Sequence, residues 1–174
     1  EEPYVSFDLS QNGTFQSTMD PKNFSKKEKL LFVLGPTRDT KLIDTLGRIS
    51  KERNIPILAD IHSNIRQAKY STVSSLYHLY LNEVNEKYLP EKVFLFGDRI
   101  ISDALQKFLL KVGGPIIQVG ADTFRQDAIE NEFIHVSRKI DFDYFFKHEV
   151  TNFGMNEEKF SQSYISLENK FSSL

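Results

Sequence analysis

Apolar residues in this chain gather into short runs without polar alternation, separated by stretches of helical spacing. Leu30-Leu31-Phe32-Val33-Leu34-Gly35 is the first such run, and an uninterrupted apolar strand is what a sheet covered on both faces requires. Leu42, Ile43, Leu46 and Ile49 follow on one helical stripe, with Asp39 and Thr40 placed to cap it. Ile55–Asp60 reads as the next strand, and Val73, Leu76, Tyr77, Tyr80, Leu81 and Val84 predict a longer helix. A strand at Lys92–Phe96, a helix over Ser102–Lys111, and strands at Pro115–Val119 and Glu132–Val136 continue the rhythm. Strands alternating with helices predict a three-layer α/β/α domain around a mostly parallel sheet of five to six strands, joined by right-handed crossovers.

The ends differ from the middle. Residues 1–28 are rich in Ser, Asn, Gln and Lys, are broken by Pro3 and Pro21, and read as a connector laid over a surface. Residues 29–174 then form one domain. Past Asp141, two helical stretches remain, and the second spaces Phe160, Tyr164, Leu167 and Phe171 on one apolar stripe, which either packs back on the domain or docks on a partner.

Composition narrows the classes. The chain has 174 residues, 40% of them hydrophobic, with 22 basic against 24 acidic residues and no block of like charge, so nothing electrostatic points to nucleic acid. No apolar run reaches the roughly 18 residues of a membrane span and no signal-peptide pattern opens the chain, which reads as soluble and cytoplasmic. The absence of cysteine removes disulfides, thiolate zinc sites and a thiol nucleophile, and fits a reducing compartment. The chain opens on Glu1-Glu2-Pro3 without Met, which suggests a piece of something longer.

Candidate chemistry is sparse. The turn Gly35-Pro36-Thr37-Arg38-Asp39-Thr40 follows a strand and opens a helix, where backbone N–H groups could hold an anion, but neither glycine-rich phosphate motif is present and ordinary capping is the favoured reading. Gly97-Asp98 is similar to the start of the G-D-G motif that positions magnesium for thiamine diphosphate, yet position 99 is Arg. His62, His78, His135 and His148 are scattered and form no i, i+4 pair for zinc. No G-x-S-x-G elbow occurs. Asp141-Phe142-Asp143 reads as a helix start, and Phe142, Tyr144, Phe145 and Phe146 as core. The turn Ala59-Asp60-Ile61-His62-Ser63-Asn64-Ile65-Arg66 closes a strand and puts Ser63 and Arg66 at the carboxyl edge of the sheet, where open α/β folds place their binding sites. Ser63 can cap a helix there, and Arg66 can bind carbonyls or a carboxylate of a neighbouring domain.

Three groups of residues, in order and at their separations, carry a family resemblance: Ala59-Asp60-x-x-Ser63-x-x-Arg66, then Phe96-Gly97 with Ser102 and Leu105, then Phe124-Arg125 with Asp127. Over roughly residues 28–150 the chain resembles the central domain of the MenD family, the thiamine diphosphate-dependent 2-succinyl-5-enolpyruvyl-6-hydroxy-3-cyclohexene-1-carboxylate synthases of menaquinone biosynthesis. The resemblance implies a Rossmann-like central domain that makes no contact with the cofactor, so that this chain holds none. It implies thiamine diphosphate and Mg²⁺ on flanking domains of the same polypeptide, and a homo-oligomeric parent, dimer or tetramer. It also implies decarboxylation of 2-oxoglutarate followed by addition to isochorismate, chemistry that the cofactor carries. The family places a basic pair directly after the serine that matches Ser102; here those positions are Asp103 and Ala104, and an acidic side chain there would repel a dicarboxylate. Ile61, His62 and Asn64 replace the family's usual Pro, Leu and Gly. The expectation is therefore a scaffold domain, catalytically silent alone, with no catalytic or metal residues and with Ser63, Arg66, Ser102, Asp103 and Ala104 as substrate-proximal or interface positions. The alternatives are a stand-alone module that binds a nucleotide or other small ligand at the Gly35 or Gly97 turn, and an independent small enzyme for which no constellation is visible.

Overall fold

A computed structural model describes residues 29–68, 70–119 and 155–173. The expected connector over 1–28, the strand at Glu132–Val136, the helix start at Asp141 with its aromatic group, His135, His148 and the Phe124-Arg125, Asp127 group lie outside the described residues.

The first strand, β1 (Leu30–Leu34), is buried at every position. It pairs in parallel with β2 (Ile57–Ala59) on one side and β4 (Lys92–Phe96) on the other; β3 (Val73–Ser74) extends the sheet beyond β2 and β5 (Ile116–Val119) beyond β4. The order is β3-β2-β1-β4-β5, all parallel. Alternate residues of β1 belong to opposite cores. Leu30, Phe32 and Leu34 pack with Leu42, Leu46 and Ile49 of α1 (Thr40–Arg53). Leu31 and Val33 face the other layer, built by α2 (Tyr77–Tyr80), α3 (Asp103–Leu109) and α4 (Glu158–Ser172). The expected three-layer α/β/α, Rossmann-like architecture is thus what the described residues form, with five strands. Among them no helix is long and apolar enough to cross a membrane.

Helix α1 starts where Asp39 accepts a hydrogen bond from the Leu42 amide (3.1 Å) and stops at Asn54, whose left-handed backbone (φ 57°) ends the helical run. The region read as one long helix over Val73–Val84 is different. Val73 and Ser74 pair with Ile57 and Leu58 as the edge strand, and the chain then makes one short helix, α2, and two 3₁₀ turns, Leu81–Glu83 and Glu86–Tyr88. The physical reason is tertiary. The carboxylate of Glu168 on α4 accepts from the Ser75 amide (2.9 Å), the Leu76 amide (3.1 Å) and the Ser74 hydroxyl (2.6 Å), so α2 is capped from another element and can begin only at Tyr77. Tyr77, Tyr80 and Leu81 still face the core, which is why the spacing looks helical throughout.

The apolar stripe of α4 packs back on the domain. Phe160 and Tyr164 are fully buried, Leu167 and Phe171 cover the same core, and Phe171 stacks on Tyr80. Burying each of the first two contributes on the order of 2–3 kcal/mol. The start of α4 is pinned by Asn156, whose side-chain amide accepts from the Leu30 amide (2.8 Å) and donates to the Leu30 carbonyl (3.0 Å), acting as a strand partner for the first residue of β1. Its nitrogen also reaches Asn54 O and Ser161 Oγ.

Two outcomes follow from this packing. Asn156→Ala leaves the buried Leu30 N–H and C=O without their partner and is expected to lower stability by about 2–5 kcal/mol in chemical denaturation, since each orphaned buried group costs about 1–3 kcal/mol; a loss below about 1 kcal/mol contradicts the pin. Burial pushes the phenols of Tyr77, Tyr80 and Tyr164 well above the ordinary tyrosine range. These three phenols ionise near pH 10 in the unfolded chain and only at higher pH in the folded one, so this stability is complete below about pH 10 and is lost as pH rises further, by about 1.4 kcal/mol per pH unit per tyrosine. Denaturation followed from pH 9 to 11 should show that slope, reduced by about a third in Tyr164→Phe; a flat profile contradicts it.

Candidate functional site

The crossovers from β1 run one way to β2 and β3 and the other way to β4 and β5, so the strand order reverses between β1 and β4. Open α/β sheets bind ligands in the crevice at the carboxyl ends of such a pair. Among the described residues, backbone bridges this crevice. The Gly35 amide donates to Phe96 O (2.9 Å) and the Asp98 amide donates to Pro36 O (2.8 Å). A Cβ on Gly35 would lie 2.2 Å from Asp98 O, and one on Gly97, whose φ is +77°, would lie 2.8 Å from Pro36 O. The two glycines let the loops after β1 and β4 touch main chain to main chain. The Gly35 and Asp98 N–H groups are consumed in doing so, the Asp39 amide donates to Thr37 Oγ1 (3.2 Å), and the Asp39 carboxylate already occupies the start of α1.

The loop after β2 is stitched to both neighbours. Ser63 forms a parallel bridge with Thr37, beside the loop after β1. Asp60, completely buried, sends its carboxyl toward the loop after β4: Oδ1 accepts from the Ile61 amide (2.7 Å) and the Tyr77 hydroxyl (2.9 Å), and Oδ2 from the Ile101 amide (2.7 Å). One carboxyl therefore joins β2, α2 and the approach to α3. Asp60 stood inside the turn singled out from the sequence but was given no role of its own. The available signal was an acidic residue closing an otherwise apolar strand, which has to find donors once buried.

The candidate residues divide accordingly. Ser102 caps α3 by accepting from the Leu105 amide (3.3 Å) and acts against the rise of the Tyr77 phenol, as a hydrogen-bonding side chain near it would. Arg66, half-buried, lies close enough to Tyr77 for its charge to favour the phenolate, although burial dominates and raises that group overall. Arg66 and Ser102 thus meet around Tyr77. Ser63 departs from the reading as a helix cap. It stands before the 3₁₀ turn Asn64–Gln67 without a capping hydrogen bond, and its hydroxyl is buried with no partner. The bridge to Thr37 holds its backbone, and a one-turn 3₁₀ segment presents few free amides to cap. Asp103 and Ala104 sit apart on the first turn of α3, where the exposed Asp103 carboxylate pairs with Lys107 at 2.7 Å.

Among the described residues no three His, Asp or Glu side chains gather where they could hold a metal ion, and His62 and His78 are exposed. What the edge can do chemically is lock three loops into one surface and present arginine on it. Asp60→Asn tests the lock. Both oxygens of the native carboxyl face donors, so an amide must set one N–H against another, and a loss of about 2–4 kcal/mol is expected in chemical denaturation. Ser63→Ala removes a hydroxyl that bonds to nothing and should be neutral or stabilising by up to about 1 kcal/mol; a strong destabilisation would mean that the hydroxyl has a partner. No protein-family model matches the chain, and no curated protein matches it in sequence.

Proposed function

We propose that this chain is the central scaffold domain of a thiamine diphosphate-dependent 2-succinyl-5-enolpyruvyl-6-hydroxy-3-cyclohexene-1-carboxylate synthase, holding apart and orienting the flanking domains that carry the cofactor. The observation that supports this best is the contact between the loops after β1 and β4, where Gly35 and Gly97 bring backbone against backbone at the usual ligand crevice. A domain of this topology that gives up its usual ligand site suits assembly better than ligand capture.

The Gly97-Asp98-Arg99 turn does not fit a magnesium-diphosphate group. Its Asp98 amide is bound to Pro36, and Arg99 stands where the motif has its second glycine, a cation beside a group that would carry metal. No step of the reaction is routed through this chain, and in the proposal thiamine diphosphate and Mg²⁺ belong to other parts of the polypeptide. The chemistry the cofactor would supply there is carbanion formation from 2-oxoglutarate and addition to isochorismate. Asp103 does not present an unopposed negative charge to that second substrate, because Lys107 lies against it.

Thermal-shift measurements with ADP, NAD and FAD separate the scaffold from a ligand-binding module. The scaffold reading expects no stabilisation by any of them, whereas a bound ligand at a hundredfold excess over its Kd adds about 2.7 kcal/mol. Clear stabilisation by one nucleotide overturns the proposal in favour of the binder. The complete polypeptide encoded by the gene should in turn decarboxylate 2-oxoglutarate only when thiamine diphosphate and Mg²⁺ are present.

A further inference from the structure

The carboxyl edge carries a charge pattern that the fold does not use. Each of the three adjacent strands β2, β1 and β4 is followed by a loop bearing one arginine: Arg66, Arg38 and Arg99. Arg38 and Arg99 are exposed and Arg66 is half-buried, and among the described residues none makes a side-chain hydrogen bond or an ion pair. The carboxylates nearby are mostly committed. Asp60 is buried on three donors, Asp39 caps α1 and Asp103 is paired with Lys107, which leaves the exposed Asp98 as the uncommitted carboxylate of these three loops. Guanidinium charge does not titrate away, and its planar fork is suited to carboxylates.

Between these charges lie two exposed apolar side chains. Ile61 is 62% exposed and Ile101 57%, and their amides bind the two oxygens of the same Asp60 carboxyl, which sets the two residues side by side. The buried Asp60 thus spends its hydrogen bonds holding an apolar pair outward. A small anion would want a concave site, and the crevice is bridged by backbone. Exposed apolar side chains among unpaired arginines are the composition of a protein interface.

We infer that this edge, centred on Ile61 and Ile101 and bearing Arg38, Arg66 and Arg99, docks an acidic face with an apolar centre on a neighbouring domain of the same polypeptide. The inference rests on the scaffold reading above and names the surface through which the scaffold works.

Arginine modification by phenylglyoxal, read by mass spectrometry, tests it. The 174-residue chain is compared with the complete polypeptide its gene encodes, with Arg48 on the exposed face of α1 as internal reference. In the isolated chain Arg38, Arg66 and Arg99 should react freely; in the complete polypeptide all three should slow by about tenfold or more relative to Arg48, the equivalent of about 1.4 kcal/mol of protection. The pair Ile61→Ser with Ile101→Ser replaces two exposed side chains, should leave the isolated chain folded, and should restore their reactivity in the complete polypeptide. Equal rates in both contexts, or slow reaction already in the isolated chain, overturn the inference. Protected arginines in a polypeptide that does not use thiamine diphosphate would sink the enzymatic reading and keep the docking surface, and an active synthase with freely reacting arginines would do the reverse.

Discussion

A carboxyl group cannot be buried alone, and the Asp60 side chain is buried completely. Its cost is met by donors from three parts of the chain: its own turn at Ile61, the phenol of Tyr77 on α2, and the Ile101 amide forty-one residues along. Because those donors belong to separate elements, satisfying one side chain also sets the relative positions of the loops after β2 and β4, across the end of β1. The backbone contact between the Gly35 and Gly97 loops completes the closure. The carboxyl edge is consequently a stiff surface, and the placement of Ile61, Ile101 and Arg66 on it is a consequence of electrostatic bookkeeping deep to it.

The far helix takes part in the same arrangement. Helix α4, 15 residues and about 22 Å long, follows Asn156, which lies beside the start of β1, and carries Glu168 beside the end of β3. Asn156 supplies the first strand with a partner at the amino edge, and Glu168 caps α2 at the carboxyl edge. The first residue of α2 is Tyr77, whose hydroxyl reaches Asp60. Contacts of neutral and charged acceptors therefore connect α4 to the site through α2, so the position of Tyr77 is determined from both sides.

How much of this was legible in the residues depends on the range of the interaction. The β1 and β4 runs and the α1 stripe with its Asp39 cap were readable because strand burial and helix capping act within a few residues. The Val73–Val84 segment misled because residues facing one core at spacings of three and four look helical even when a strand pair and a cap donated from Glu168 divide them. For the candidate site, the turn at Ser63 and Arg66 was correctly placed at the sheet edge, while the residue that organises it, Asp60, was named within that turn but given no role. Its partners are 17 and 41 residues distant, and no local pattern announces them.

The amino-acid sequence by itself determined that the sheet is parallel and covered on both faces, that helices separate its strands, and that three arginines follow three of those strands. These are consequences of local hydrophobicity and turn chemistry. Only the tertiary structure decided that the crevice between β1 and β4 is bridged by backbone, that the stripe of α4 turns inward, and that Asp60 holds Ile61 and Ile101 toward solvent. Each of those depends on which distant donor meets which acceptor once the layers are packed, and hydrogen-bond complementarity across many residues is not encoded in any single stretch of chain.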